Sequence, residues 1–188
     1  AKEQWYEDGS YVQPSHNYHR SAWHGMLLAR SIALDRGNTS LVNAITARAV
    51  SSLDFFLAQM DPVSGRLPNW GPNDGALVGV WTECDFSDFR PLIQSLAYLA
   101  GRELPFEKGP WDEELLWVFG SAALLSSRKK YQPQSRISFS DQGLHVMRPA
   151  NDKFAVLRCG SVRSRYGQQA DQLHVDLWQA GRNLALDA

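Results

Sequence analysis

The chain has 188 residues, 44% of them hydrophobic, and a formal net charge of -1. That composition can bury a real core, which excludes a disordered or fibrous chain, and no apolar run approaches the roughly 20 residues needed to cross a bilayer. Cys84 and Cys159 are too few for a disulfide framework or a zinc ribbon and read as buried thiols.

The charge is uneven. Residues 128 to 165 carry nine Lys and Arg against two Asp and Glu, whereas residues 1 to 127 carry nine against fifteen. The basic stretch is either a field for a polyanion or a solvated linker around Arg128-Lys129-Lys130. Nothing in it has the pattern of a nucleic-acid-binding motif. The first residues lack the apolar centre of a signal peptide, the chain does not start with Met, and Leu184 to Ala188 still reads as sheet. A piece of a longer protein is therefore expected, with any targeting signal upstream and the remainder of that protein needed to complete the fold.

From Tyr18 to Asp35, Trp23, Met26, Leu27, Ile32 and Leu34 recur at helical spacing, and Gly37-Asn38 closes the run. Thr39-Ser40 caps a second helix whose apolar side carries Ile45, Leu53, Phe56 and Leu57, ending before Asp61-Pro62. Two helices joined so tightly lie antiparallel. Residues 61 to 80, rich in Gly and Pro, form a long loop of the kind that usually carries function. Helical pattern returns over Asp88 to Arg102 and Trp111 to Leu125, with Trp23, Trp111 and Trp117 assigned to the core. Beyond Leu125 the period changes to that of strands, over 136 to 140, 143 to 148, 153 to 158 and 173 to 179. Helical hairpins followed by antiparallel strands define an α+β chain rather than an alternating α/β sheet.

The chemistry concentrates at Ser15-His16-Asn17-Tyr18-His19-Arg20, where an amide, two imidazoles, a phenol and a guanidinium crowd a helix start. Asn17 or Ser15 is also an N-cap candidate. Inside regular helix Asn17 and His19 would point about 200° apart, at roughly 100° per residue. In the loop, Trp70 is a candidate stacking platform for a sugar ring, with Asn69, Asn73 and Asp74 as hydrogen-bonding partners. His24 reads as a structural histidine.

Asp8-Gly9-Ser10-Tyr11, Asn17-Tyr18-His19-Arg20, Pro68 to Gly75, Asp88-Phe89-Arg90, Gly143 to Arg148 and Ala170-Asp171-Gln172-Leu173-His174-Val175-Asp176-Leu177-Trp178 together resemble the heparinase II/III-like polysaccharide lyases. The resemblance implies that residues 1–125 are the C-terminal part of an incomplete α/α toroid. Residues 126–135 would be a linker, and 136–188 the opening strands of an antiparallel β-sandwich. It implies β-elimination on a uronic-acid polysaccharide, a reaction that builds negative charge beside a carboxylate and requires a base and an acid. By resemblance, Asn17, His19 and His174 would be catalytic, and Arg20, Trp70, Asn73, Asp74 and Gln169 would bind substrate. No cofactor is implied beyond a structural divalent metal near Asp187, and the setting would be periplasmic or secreted.

The sequence departs from the family in two places. No Tyr lies between Tyr18 and Tyr98, where a catalytic Tyr is expected, and Gln168-Gln169 stands where a His is expected. Two alternatives follow. One is an acidic-glycan-binding protein of exopolysaccharide metabolism without catalysis. The other is a toroid glycoside hydrolase with paired carboxylates drawn from Asp8, Glu83, Asp85 or Asp88.

Overall fold

A computed structural model describes residues 3–160 and 172–185. Four helices, α1 (His16–Asp35), α2 (Thr39–Gln59), α3 (Arg90–Leu99) and α4 (Asp112–Phe119), precede five strands, β1 (Arg136–Phe139), β2 (Leu144–Ala150), β3 (Lys153–Arg158), β4 (Val175–Gln179) and β5 (Arg182–Ala185). The fold is mixed α+β. The sheet is an antiparallel meander in the order β1-β2-β3-β4-β5.

Of the two cap candidates on α1, Ser15 is the cap. Its extended backbone (φ -164°) precedes the helix and its Oγ accepts from the Tyr18 amide. Asn17 is thus already helical. Asn38, rather than Thr39-Ser40, caps α2, its side chain accepting from the Leu41 amide. Each cap satisfies one of the donors that a helix start leaves open. Pro91 in the first turn of α3 sacrifices an amide that would have no partner there anyway. Asp112, Glu113 and Glu114 fill the first turn of α4, where the helix dipole favours negative charge.

The core lies between the α1–α2–α3 layer and the inner face of the sheet. Trp23, Phe55, Phe56, Ile93 and Leu96 are fully buried on the helical side, and Phe139, Leu144, Val156 and Trp178 face them from the strands. Phe55 meets Phe139 edge-on at 4.9 Å between ring centroids. Each such side chain contributes about 1.5–3 kcal/mol by leaving water. By length and composition α2 could cross a bilayer, but its Ile45, Leu53, Phe55 and Phe56 belong to this core.

A second bond between the layers is polar. Arg148 of β2 donates to the carbonyls of Ala58 and Met60 at the end of α2, at 3.2 and 2.9 Å, and lies over the Phe154 ring. It satisfies carbonyls that the helix cannot, at the end where a cation is favoured. Residues 126–135 also lie against the helices, with Arg128 bonded to Asp112 and Lys129 donating to the Leu104 carbonyl.

Some side chains fall elsewhere than expected. Because α4 buries Glu114 and Leu115, Trp117, two positions on and about 200° around, turns outward and is 68% exposed. Trp111 is half-buried, stacked with Arg90 at 4.0 Å. Cys159 is exposed and Cys84 half-buried, so neither is a core thiol.

Candidate functional site

The site is organised by the way residues 61–89 lie along one side of α1. Ser15 Oγ donates to the Pro72 carbonyl at 2.6 Å, Ser21 Oγ to that of Ala76 at 3.0 Å, and the Gly79 amide donates to His24 Nδ1 at 3.3 Å. His24 is therefore structural, as its buried ring beside Glu114 also indicates. Gly71 (φ +73°) lets the loop touch the residues before α1, since a Cβ there would fall 1.7 Å from the Pro14 carbonyl oxygen. At the other contact of the N-terminal segment, a Cβ on Gly9 (φ +87°) would overlap the Ser51 carbonyl at 2.1 Å. Any side chain at either position would force the segments apart.

Between this loop, the start of α1 and the β4–β5 turn is a cavity of about 560 Å³. The helix lends it His16, Asn17 and Arg20. The loop lends Asn69 and Asn73, and the sheet lends Trp178, Arg182 and Asn183. Arg66 adds a third guanidinium. Among the described residues that line it, there is no Asp or Glu.

Arg20 is the central cation. It is 4% exposed and has no carboxylate within ion-pair distance among the described residues. Its guanidinium lies 4.2 and 4.5 Å from the ring centres of Phe86 and Phe89 and donates to the Phe86 carbonyl and, at 3.0 Å, to Asn17 Oδ1. Its Nε has no hydrogen-bond partner among the described residues. Burial lowers its pKa to about 10, against the pull of the Glu114 charge, so it stays a cation at neutral pH. Asn17, 3% exposed, orients Arg20 through that bond and points its Nδ2 toward Asp74 Oδ1 at 3.5 Å. The Tyr18 hydroxyl donates to Asp74 Oδ2 at 2.7 Å, which raises the phenol and lowers the carboxyl. A phenol raised this way stays protonated at neutral pH and supplies little phenolate to act as a base. Asn73 donates to Asn69 Oδ1 at 2.9 Å, so both amides are held at the rim.

His19 does not reach the cavity. Its ring is 1% exposed, and its Nε2 accepts from the indoles of Trp5 and Trp23 at 2.9 and 3.2 Å. Burial, and then the neighbouring His16, hold it well below the ordinary imidazole value. The expected role as donor or base is thereby corrected to that of a neutral core acceptor. Asn17 and His19 do diverge as the helical geometry required. Trp70 is likewise not an exposed platform. It is 3% exposed, and its indole donates to His16 Nε2 at 3.3 Å. Because a carbonyl can only accept, His16 must donate from Nδ1 to Pro68 O, at 2.8 Å, leaving Nε2 as the acceptor for Trp70. Burial takes His16 down to about 4, with the Pro68 bond opposing.

His174, just before β4, holds its Nε2 3.3 Å from Asp176 Oδ2. Asp176 is fully buried, its pKa raised by burial, and its Oδ1 accepts from Trp178 Nε1 and Asn183 Nδ2, both at 2.6 Å. His174 is thus tied to the sheet wall of the cavity without lining it. Gln169 and Asp187 lie outside the described residues, and among the described residues no group of three or more His, Cys, Asp and Glu could hold a metal ion.

Sequence reasoning did not single out His16, Arg66, Arg182 or Asn183 as part of this site. The signal for Asn183 was present in strand alternation. Asp176 and Trp178 share one face of β4, and Asn183 pairs with Trp178 across the ladder.

The cleft of arginines and amides lies between the helical layer and the antiparallel sheet of an α+β fold. The sequence matches no family model and no curated protein. The fold is similar to that in the crystal structure of heparan sulfate lyase HepC from Pedobacter heparinus, with a TM-score of 0.57 at 18% identity. A mutant of the same lyase gives 0.54 at 20%. Each similarity covers 100% of this chain but 26% of the lyase, so the chain spans about a quarter of that protein's length. The resemblance to heparinase II/III-like lyases thus extends from motifs to fold.

Proposed function

We propose that this chain is part of a polysaccharide lyase that cleaves a uronic-acid polymer by β-elimination. On this reading its helices are the last part of an α/α toroid and its strands the first part of a β-sandwich. The observation that carries the reading is the cavity: three arginines and four asparagines among its described lining residues, and no carboxylate. Such a lining attracts an anionic sugar and stabilises the charge that develops when the proton beside its carboxylate is removed. Arg20 binds the carboxylate, Asn17 orients Arg20, and Asn73 meets the sugar at the rim. Asp74 holds Asn17 and Tyr18 rather than substrate, and Gln169 stays assigned to substrate by resemblance. His174 keeps the role of base by resemblance alone, since it does not line this cavity. With Nε2–H bonded to Asp176, its Nδ1 carries the lone pair, and the buried carboxylate stabilises the imidazolium formed.

Hydrolysis is not supported, because none of Asp8, Glu83, Asp85 and Asp88 lines the cavity. Asp8 is bonded to Ser10 and the Asp141 amide, Asp85 to Ser87 and Asp88 to Arg90. Binding without turnover is the second reading, favoured by one observation: both nitrogens of the cavity-lining His16 are already engaged.

The test is to incubate the full-length protein with a panel of acidic polysaccharides and follow the ultraviolet absorbance of the new C4=C5 double bond. Absorbance that disappears in His174→Ala supports elimination, and binding without absorbance supports the second reading. Arg20→Met should weaken binding of an oligouronate roughly a hundredfold, the worth of a charge-assisted hydrogen bond. An unchanged affinity overturns both.

A further inference from the structure

The cavity has two chemically unlike walls. On the α1 wall the unpaired group is a donor: the Arg20 Nε has no partner among the described residues, and the Oδ1 of Asn17 is already taken by Arg20. On the β5 wall the situation is reversed. The Asn183 Nδ2 donates to Asp176 Oδ1 at 2.6 Å. A carboxylate accepts and does not donate, so the amide can sit only one way round, with its oxygen left over. That oxygen is buried and has no hydrogen-bond partner among the described residues, and Asn183 itself lines the cavity. Trp178, bonded to the same carboxylate oxygen, fixes Asp176 from the other side. A buried acceptor left unpaired costs free energy until a donor reaches it.

We propose that Asn183 is a specificity-determining residue that accepts a hydrogen bond from a ring hydroxyl of the bound sugar, and that Asp176 is the positioning residue that turns its amide for the purpose. A uronic-acid unit fits the two walls together, with its carboxylate toward Arg20 and a hydroxyl on another ring carbon toward Asn183. A sugar without a free hydroxyl at that place leaves Asn183 unpaired. This assignment rests on the acidic-glycan reading of the same cavity, and goes beyond it by naming the second recognised group and the residue that reads it. Such donor–acceptor pairing discriminates more sharply than apolar fit, because the wrong ligand strands a buried polar group.

The experiment is calorimetric titration of the full chain with three probes: an oligouronate hexasaccharide, its carboxyl-reduced form, and its O-methylated form with free carboxylates. The native protein should lose binding to the reduced probe and bind the methylated probe about tenfold more weakly than the parent hexasaccharide, the upper range for one neutral hydrogen bond. Asn183→Leu should bind the parent hexasaccharide about tenfold more weakly and no longer distinguish it from the methylated one. Asp176→Asn, which keeps the side-chain size but no longer dictates the amide's orientation, should lose the same discrimination while the near-ultraviolet circular dichroism of Trp178 persists. If both variants discriminate as the native protein does, the Asn183 assignment is overturned and the acidic-glycan reading stands. If Asp176→Asn lowers the melting temperature but keeps the discrimination, Asp176 is structural and its positioning role is overturned. If the native protein binds the reduced probe as well as the hexasaccharide, the acidic-glycan reading itself fails, and this inference with it.

Discussion

The two sides of the first turns of α1 carry similar residue types to different ends. Toward the core, His16 and His19 are surrounded by Phe55, Phe56, Trp5, Trp23 and Trp70, and every basic nitrogen that accepts does so from an indole. Toward the loop and sheet, Asn17 and Arg20 sit in a cavity with a cation that has no ion-pair partner among the described residues. Only the second side retains chemical potential for a ligand. Burial with the accepting nitrogen held by an indole inside the core makes each imidazole an architectural group, whereas an unpaired N–H on a guanidinium beside a cavity makes it a receptor.

The largest effect that would sharpen this contrast is on stability at His19. His19→Leu fills similar space but leaves the indole N–H groups of Trp5 and Trp23 without their acceptor. Two stranded buried donors predict a loss of about 2–5 kcal/mol, read as a lower urea midpoint. Oligouronate affinity of the folded fraction should stay within twofold. A selective loss of affinity at unchanged stability would return His19 to the site and break the contrast.

Acid is the next lever. His16 is held at about 4 when folded, while an unfolded histidine takes up its proton near the ordinary value of 6.5. Below pH 6.5 the unfolded chain therefore binds the proton first, and stability falls as the pH drops toward 4. The shift corresponds to about 3 kcal/mol, and His19, displaced in the same direction, adds to it. Urea midpoints at pH 7.5, 6, 5 and 4.5 should decline steadily, with a shallower decline in His16→Gln. A flat profile through this window would mean that the histidines are not buried neutral.

Much of this fold could be read from sequence, since it rests on local signals. The α1–α2 hairpin followed from the 3.6-residue spacing of Trp23, Leu27, Ile45 and Leu53, and the strands from their alternation and glycine turns. The site was harder, for a geometrical reason. Asn17 and Arg20 could be singled out by their chemistry, but their separation from His19 depends on where the helix begins, and that was settled by the Ser15 cap one turn earlier. Trp117 looked like core because a tryptophan usually is, yet its exposure depends on which face α4 turns inward. The alternation of β4 puts Asp176 and Trp178 on one face, but that Asn183 joins them depends on the ladder register, which neither strand shows by itself.

The smallest effect concerns Trp70, the residue whose sequence and structural readings differ most. A tryptophan in a Gly- and Pro-rich loop has the composition of a sugar platform, but here its indole is spent on His16, and its ring packs against that imidazole edge-on at 5.0 Å. Trp70→Phe keeps an aromatic face and removes only the N–H. If Trp70 stacked on sugar, this variant would bind almost normally and remain fully stable, because the phenyl face replaces the indole and no internal bond is lost. If it is the donor that fixes His16, stability should fall by about 1 kcal/mol while oligouronate affinity stays within twofold. The stability measurement separates the two readings, because only the second leaves His16 Nε2 buried without its donor. With that nitrogen free, the acid sensitivity of the variant should also shift toward higher pH, as protonation of His16 no longer has to break a bond to the indole.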